Sequence, residues 1–281
     1  MLKYYQVEPQ LIDMEKVVRN QKNMIIKKMP KFAVNYLKKI VKQDELNEII
    51  LNSYTETGYN FFRKNLDFMN IKIESENFES IEEKGKYIFA ANHVQGGIDG
   101  IALVLQTSEK FKNIKALANE ILMTIKNAEE IFLPVNVFSR NSEETKRKLD
   151  EAYSSNDIQI ITFPSGEVAR KYKGVIDDGL WHQNFIRNAL KYERDIVPVY
   201  IVAENSSKFY RVSNIRRRLR IKANIELFLL PQELLKQKGK TLKLIFGKPV
   251  SYKTFDQTKT HLEWAQEIKK VVYSLYKKKE N

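Results

Sequence analysis

The chain has 281 residues, 43% of them apolar, enough to bury one sizeable core; it has no cysteine, which excludes disulfides, a thiol nucleophile and a thiolate metal site. A formal charge of +13 points to a polyanionic partner: nucleic acid, an anionic membrane surface or a phosphate-bearing co-substrate. No apolar run approaches the ~18 residues of a membrane span, Met1-Leu2-Lys3-Tyr4-Tyr5 is too polar to begin a signal peptide, and His93, His182 and His261 show no metal-ligand spacing.

Residues 1–27 are mixed, with a helical pattern over 10–20. Pro30 can open a helix at its first turn, and Phe32, Ala33, Tyr36, Leu37, Ile40 and Val41 follow at helical spacing. Leu46, Ile49 and Ile50 predict a second helix, and Tyr59, Phe62, Leu66 and Met69 a third after Gly58. Residues 1–70 are therefore expected to form a helical N-terminal cap, packed on the main domain, lining an acyl groove or touching membrane.

Residues 71–255 alternate apolar strands with helix-length segments. Strands are expected at 71–74, 87–91, 114–117, 131–135, 158–163, 196–202, 225–230 and 242–246, and helices at 101–105, 120–126, 143–153 and 181–192. The helix at 143 takes its start signal from Asn141 with Glu144. This alternation predicts an α/β fold: a mixed, largely parallel central sheet flanked by helices. Residues 256–281 carry a capping box, Thr260-x-x-Glu263. An amphipathic helix follows, with Trp264, Ile268, Val271, Val272 and Leu275 facing the domain.

Two strand ends carry chemistry. Tyr87–Ala91 runs into Asn92-His93, the pair Gly96-Gly97 and then Asp99. Histidine with aspartate is the minimal general-base unit, because the carboxylate fixes the tautomer and steadies the imidazolium. Six residues on a straight helix would leave the two side chains roughly 120° apart. At least one must therefore lie outside a helix, with the glycines folding the chain back. Alone, such a pair is more often structural than catalytic. The second strand end is Phe163-Pro164-Ser165-Gly166-Glu167, where Pro164 and Gly166 stop the strand and bring backbone close to a ligand. Ser165 lacks the glycine of a nucleophile elbow, since position 163 is Phe. The run Arg216-Arg217-Arg218-Leu219-Arg220 is either a solvated face or a contact for lipid headgroups, co-substrate phosphates or an acidic carrier.

Together these blocks resemble the glycerolipid (lysophospholipid) acyltransferase superfamily. The nearest resemblance is to its bacterial hemolysin-like branch, which reads Asn-His-x-x-Gly-Gly-x-Asp-Gly and Phe-Pro-x-Gly-Glu-x-x-Arg. Here those residues are Asn92, His93, Gly96, Gly97, Asp99 and Gly100, then Phe163, Pro164, Gly166, Glu167 and Arg170. The likeness continues in Phe132-Leu133-Pro134-Val135-Asn136, Val197-Pro198-Val199-Tyr200-Ile201 and Gly247-Lys248-Pro249-Val250. Against the wider superfamily, five residues rather than four separate His93 from Asp99, Ser165 replaces glutamate, and Arg170 sits two places late.

The resemblance implies a glycerol-3-phosphate acyltransferase-like fold with its site in a groove beside the sheet. It implies O-acyl transfer from acyl-CoA or acyl carrier protein to a lyso-lipid hydroxyl in membrane lipid biosynthesis. His93 would be the base and Asp99 its orienting partner, with no acyl-enzyme, no metal and no cofactor beyond the acyl co-substrate. Asn92, Gly96, Gly97, Arg140, Phe163, Pro164, Ser165, Gly166, Glu167 and Arg170 would contact substrate. The departures in the later block leave the acceptor open, favouring a lyso-amino-acid lipid over lysophosphatidic acid. An anionic membrane surface is the expected partner rather than nucleic acid, with the protein peripheral on the cytoplasmic face of the cell membrane. The rival readings are a basic, non-enzymatic membrane- or polyanion-binding protein and a hydrolase whose His/Asp pair activates water.

Overall fold

In the computed structural model, which describes residues 8–20, 24–119, 122–123, 125–135 and 142–276, five helices precede the first strand. They are α1 (Met14–Arg19), α2 (Met24–Lys27), α3 (Lys31–Ile40), α4 (Gln43–Ser53) and α5 (Gly58–Phe68). Pro30 caps α3, where its missing N–H is no loss. Ile49 of α4 and Phe61, Phe62 and Leu66 of α5 are buried in the same cluster as the sheet residues Phe89 and Phe246. Through α5 the N-terminal helical region is continuous with the main core.

The strands are β1 (Lys72–Glu76), β2 (Tyr87–Ala91), β3 (Asn113–Asn119), β4 (Phe132–Val135), β5 (Ile158–Thr162), β6 (Arg170–Tyr172), β7 (Val175–Asp177), β8 (Asp195–Val202) and β9 (Thr241–Phe246). Seven form one sheet in the order β1-β9-β8-β2-β5-β3-β4, and β6 and β7 form a separate antiparallel hairpin. Every pairing in the large sheet is parallel except β8 with β9. The sheet is thus mixed and largely parallel, as the apolar runs predict.

Both faces are covered, which is why the central strands read as continuous apolar runs. In β2 the side chains alternate between layers. Tyr87, Phe89 and Ala91 join the cluster under α5 and α6 (Gly97–Ser108). Ile88 and Ala90 join the cluster under α7 (Glu143–Ser154), α8 (Asn184–Tyr192) and α11 (His261–Ser274). Ala265, Ile268 and Val272 are the buried face of α11, whose capping box forms as predicted; Val271, expected inside, is 38% exposed. Two further helices, α9 (Ser207–Arg218) and α10 (Leu230–Leu235), complete the described chain.

The structure departs from the sequence pattern in a few places. The strand expected at 225–230 is a 3-10 run, Ile225–Leu229, leading into α10. Pro231 explains the difference: it lacks the N–H a ladder needs and suits the first turn of a helix. The helix expected over 181–192 starts only at Asn184. Of the helix expected over 120–126, the described residues show 3-10 turns at 122–123 and over Lys126–Ala128, and Glu120, Ile121 and Thr124 lie outside them. Ser142 caps α7, and Asn141 lies outside the described residues.

Arg194 locks the layers together. It is fully buried, and its guanidinium donates to the carbonyls of Tyr153, Ile158, Tyr87, Ala152 and Ser155. One side chain therefore closes the end of α7 and the starts of β5 and β2. Arg194→Met strips those carbonyls of their donor, and urea unfolding is expected to show a loss of about 3–5 kcal/mol. A loss below about 1 kcal/mol would mean the carbonyls find other donors.

Candidate active site

Because β8, β2, β5, β3 and β4 run the same way, their C-terminal ends share one edge of the sheet. In open α/β sheets that edge is where ligands bind. The loops after β2, β5 and β8 meet there.

The loop after β2 is built around Asn92. Its carboxamide donates to Ile201 O at 3.1 Å and accepts from Ile201 N at 2.7 Å, so it extends the pairing of β2 with β8 by one side chain. His93 follows. Gly96 then takes φ +75°, a conformation that favours glycine, and turns the chain into α6. Asp99 lies in the first turn of α6 while His93 stays outside it, the arrangement their spacing requires.

The turn brings Asp99 Oδ2 to 3.0 Å from His93 Nδ1. The same oxygen accepts from Val94 N and Gln95 N, each at 2.7 Å. A carboxylate only accepts, so Nδ1 carries the proton and Nε2 presents a lone pair. The Asp99 side chain is 1% exposed and that of His93 19%, so the orienting group is sealed while the imidazole can be reached. Nε2 has no hydrogen-bond partner among the described residues. The arrangement is an oriented imidazole base at the mouth of the sheet edge.

The loop after β5 closes over this pair. The Phe163 ring stacks on the His93 imidazole, with centroids 4.4 Å apart. Ala169 N donates to His93 O at 2.6 Å, and His93 N donates to Asp178 Oδ2 at 3.2 Å. Asp178 is buried and held by Trp181 Nε1 and the Tyr273 hydroxyl. Behind the base, Gln95 Nε2 donates to Glu204 O and Asn205 Nδ2 to Val94 O, tying the loop after β2 to that after β8.

Several residues expected to contact substrate are engaged within the protein. Asn92 is 1% exposed and is a backbone brace, its amide taken up by Ile201. The buried Ser165 hydroxyl donates to Glu167 O and accepts from Glu167 N, closing the turn. Pro164 is buried and its carbonyl accepts from His182 N. Arg170, expected on the acceptor head group, instead points its Nε and Nη2 at Glu226 Oε1, 3.0 and 2.9 Å away, and its Nη1 at Val168 O. Glu226 is fully buried and its other oxygen lies 2.8 Å from Arg216 Nε. A buried carboxylate needs such partners, and it draws both arginines inward.

Gly97, at the start of α6, and Gly166 and Glu167, in the loop after β5, are exposed and stay open to a ligand. A Cβ at Gly97 would meet nothing within 4 Å, so that side of the loop is free space. Arg140 and Asn136 lie outside the described residues. Among the described residues no three His, Asp or Glu side chains converge as a metal site.

Sequence reasoning missed Asp178, Glu226 and Asn205. Asp178 and Glu226 lie in short stretches that carry no motif, and they acquire roles only through partners 85 and 56 residues away. A polar residue inside an otherwise apolar run, as Glu226 is between Ile225 and Leu227, was the one available signal.

The acyltransferase family model matches residues 16–280. A lyso-glycine lipid O-acyltransferase of Bacteroides thetaiotaomicron is 36% identical over 266 residues, covering 94% of this chain and 97% of that protein. A lyso-glycine lipid O-acyltransferase of Phocaeicola vulgatus is 37% identical over 266 residues, covering 94% of this chain and 95% of its own length. The crystal structure of the 1-acyl-sn-glycerophosphate (LPA) acyltransferase PlsC from Thermotoga maritima matches with a TM-score of 0.47 at 16% identity, covering 94% of this chain and 88% of that one.

The brace behind His93 titrates. Burial lifts the Asp178 carboxyl above the usual carboxylate range, against the pull of Trp181, Tyr273, Lys269 and the His93 N–H. A carboxyl with a higher pKa folded than unfolded binds its proton more tightly in the folded state. Its contribution to stability therefore falls as pH rises from the unfolded value near ~4 through the folded one. Asp178→Asn removes that slope. In urea unfolding from about pH 4 to 7, the stability difference is expected to move in the variant's favour as pH rises. A difference independent of pH sinks this account of Asp178.

Proposed function

The chain belongs to the acyltransferase family, and we propose that it moves a fatty acyl group from an acyl thioester, acyl-CoA or acyl carrier protein, to the hydroxyl of a lyso-lipid of the lyso-glycine or a related amino-acid class. The observation that carries this reading is the His93–Asp99 pair, with Nδ1 held at 3.0 Å and the ring still reachable. The two lyso-glycine lipid O-acyltransferases, similar along nearly their whole length, support the acceptor class. A phosphate-bearing acceptor such as lysophosphatidic acid draws less support, because Arg170 is engaged by Glu226.

The chemistry follows from the tautomer. The acceptor hydroxyl attacks the thioester carbonyl while Nε2 takes its proton. A C–O bond forms, and Asp99 steadies the imidazolium through Nδ1. The tetrahedral intermediate then expels the thiolate, the C–S bond breaks, and the imidazolium returns its proton to sulfur. The acyl group passes directly, without an acyl-enzyme. That step agrees with a chain that has no cysteine and with a Ser165 hydroxyl bound within its own turn. Gly97, Gly166 and Glu167 border the space for the acceptor. A lipid acceptor and a charge of +13 favour action at the surface of an anionic membrane, on its cytoplasmic face in this reading. No helix among the described residues is long and apolar enough to cross a membrane.

The test is thiol release from acyl-CoA and from acyl carrier protein with a panel of lyso-lipids. His93→Ala is expected to lower turnover by at least ~10²-fold, the lower bound for general-base action, and Asp99→Asn to do so through the wrong tautomer. Ser165→Ala should stay within about tenfold of the wild type, since it loses only a turn hydrogen bond. Undiminished turnover in the His93 variant defeats the base assignment, a dead Ser165 variant that still folds points to a covalent route, and thiol release without any acceptor identifies a hydrolase.

A further inference from the structure

The run at 216–220 does not act as one unit. Arg216 turns inward to Glu226, whereas Arg217 and Arg218 face outward at the end of α9. Beside them stands the hairpin β6–β7. Two open hollows of about 440 and 410 Å³ lie between hairpin and helix. The first is lined by Tyr172, Lys173, Asn214, Arg217 and Arg218, and the second adds Lys171, Arg211 and Ile215. Lys173, Arg211, Arg217 and Arg218 have no carboxylate partner among the described residues. Arg217 instead lies over the Tyr172 ring, 4.6 Å from its centroid.

Large apolar side chains are interleaved with these cations. Val175 and Tyr172 on the hairpin and Ile215 and Leu219 on and after α9 are 51–64% exposed. Resting on the reading that the acceptor is a membrane lipid, we propose that the face made by the β6–β7 hairpin and α9 docks the protein onto an anionic lipid bilayer. The composition selects this partner. A soluble nucleotide or phosphate would pair with the arginines but leave the four apolar side chains in water. A bilayer interface takes the cations at its anionic headgroups and the apolar side chains at the acyl boundary below.

The fold ties this face to the chemistry. The hairpin occupies the chain between Ala169 and Asp178, and both of those residues hydrogen-bond the His93 backbone, at its carbonyl and its N–H respectively. Docking the hairpin therefore brings the His93 loop to the membrane surface, where a lyso-lipid acceptor resides.

Flotation of the full chain with vesicles of phosphatidylglycerol in phosphatidylcholine, against phosphatidylcholine alone, tests the assignment without any acyl donor present. Wild-type protein is expected to bind the anionic vesicles preferentially and to be released by high salt. The double variant Arg217→Gln/Arg218→Gln should bind them about 30-fold more weakly. Val175→Ser/Leu219→Ser should weaken binding about tenfold or more while leaving the charge untouched. Both should keep wild-type melting temperatures and wild-type turnover on detergent-dispersed acceptor. Wild-type protein that ignores anionic vesicles, or variants that bind them as the wild type does, overturns the proposal. So does a raised KM for acyl-CoA with vesicle binding unchanged, which would assign the groove to the donor's phosphates. Because flotation needs no turnover, its failure leaves the acyl-transfer reading standing, and a failed transfer assay does not touch flotation.

Discussion

One oxygen organises the site. Asp99 Oδ2 gathers the Nδ1 of His93 and the backbone N–H groups of Val94 and Gln95, so a single buried carboxylate fixes both the loop and the tautomer of the base. Placing the carboxylate in the first turn of α6 makes this possible, since the helix is anchored in the main core through Ile98, Ala102 and Leu103. In the proposed acyl transfer, a base held by a rigid element keeps its geometry between turnovers, leaving little reorganisation for the reaction itself.

The backbone of His93 is gripped as firmly as its ring. Ala169 N–H reaches its carbonyl and Asp178 accepts from its N–H, while Phe163 covers one face of the imidazole. All three residues come from the single excursion between β5 and α8, which also carries the hairpin. That excursion therefore both clamps His93 and exposes Tyr172 and Val175 of the hairpin to solvent. Trp181 and Tyr273 hold the Asp178 carboxylate from behind, linking the clamp to α11.

Charge is sorted by burial. Glu226 is fully enclosed, and desolvating it alone would be costly, so Arg170 and Arg216 are turned toward it. This leaves Arg217 and Arg218 with no carboxylate partner among the described residues, open to water beside exposed apolar groups. Membership of one arginine run thus says little about function, because neighbouring positions on a helix point in different directions.

The sequence by itself determined the strands with strong apolar runs, the largely parallel sheet, the capping box at Thr260 and the His93–Asp99 pair. Each of these is encoded locally: a buried parallel strand needs a continuous apolar run, a cap needs its hydroxyl three residues from its acid, and a histidine six residues before an aspartate needs a turn such as Gly96 supplies. Only the tertiary structure decided what the polar residues around the pair do. Asn92 and Arg170 read as substrate contacts from their motif positions, yet their partners, Ile201 and Glu226, lie 109 and 56 residues away. Asp178 carries no motif and still holds the His93 backbone from 85 residues downstream. A buried polar group takes whatever complementary group the folded chain brings beside it, and local sequence does not record that neighbour.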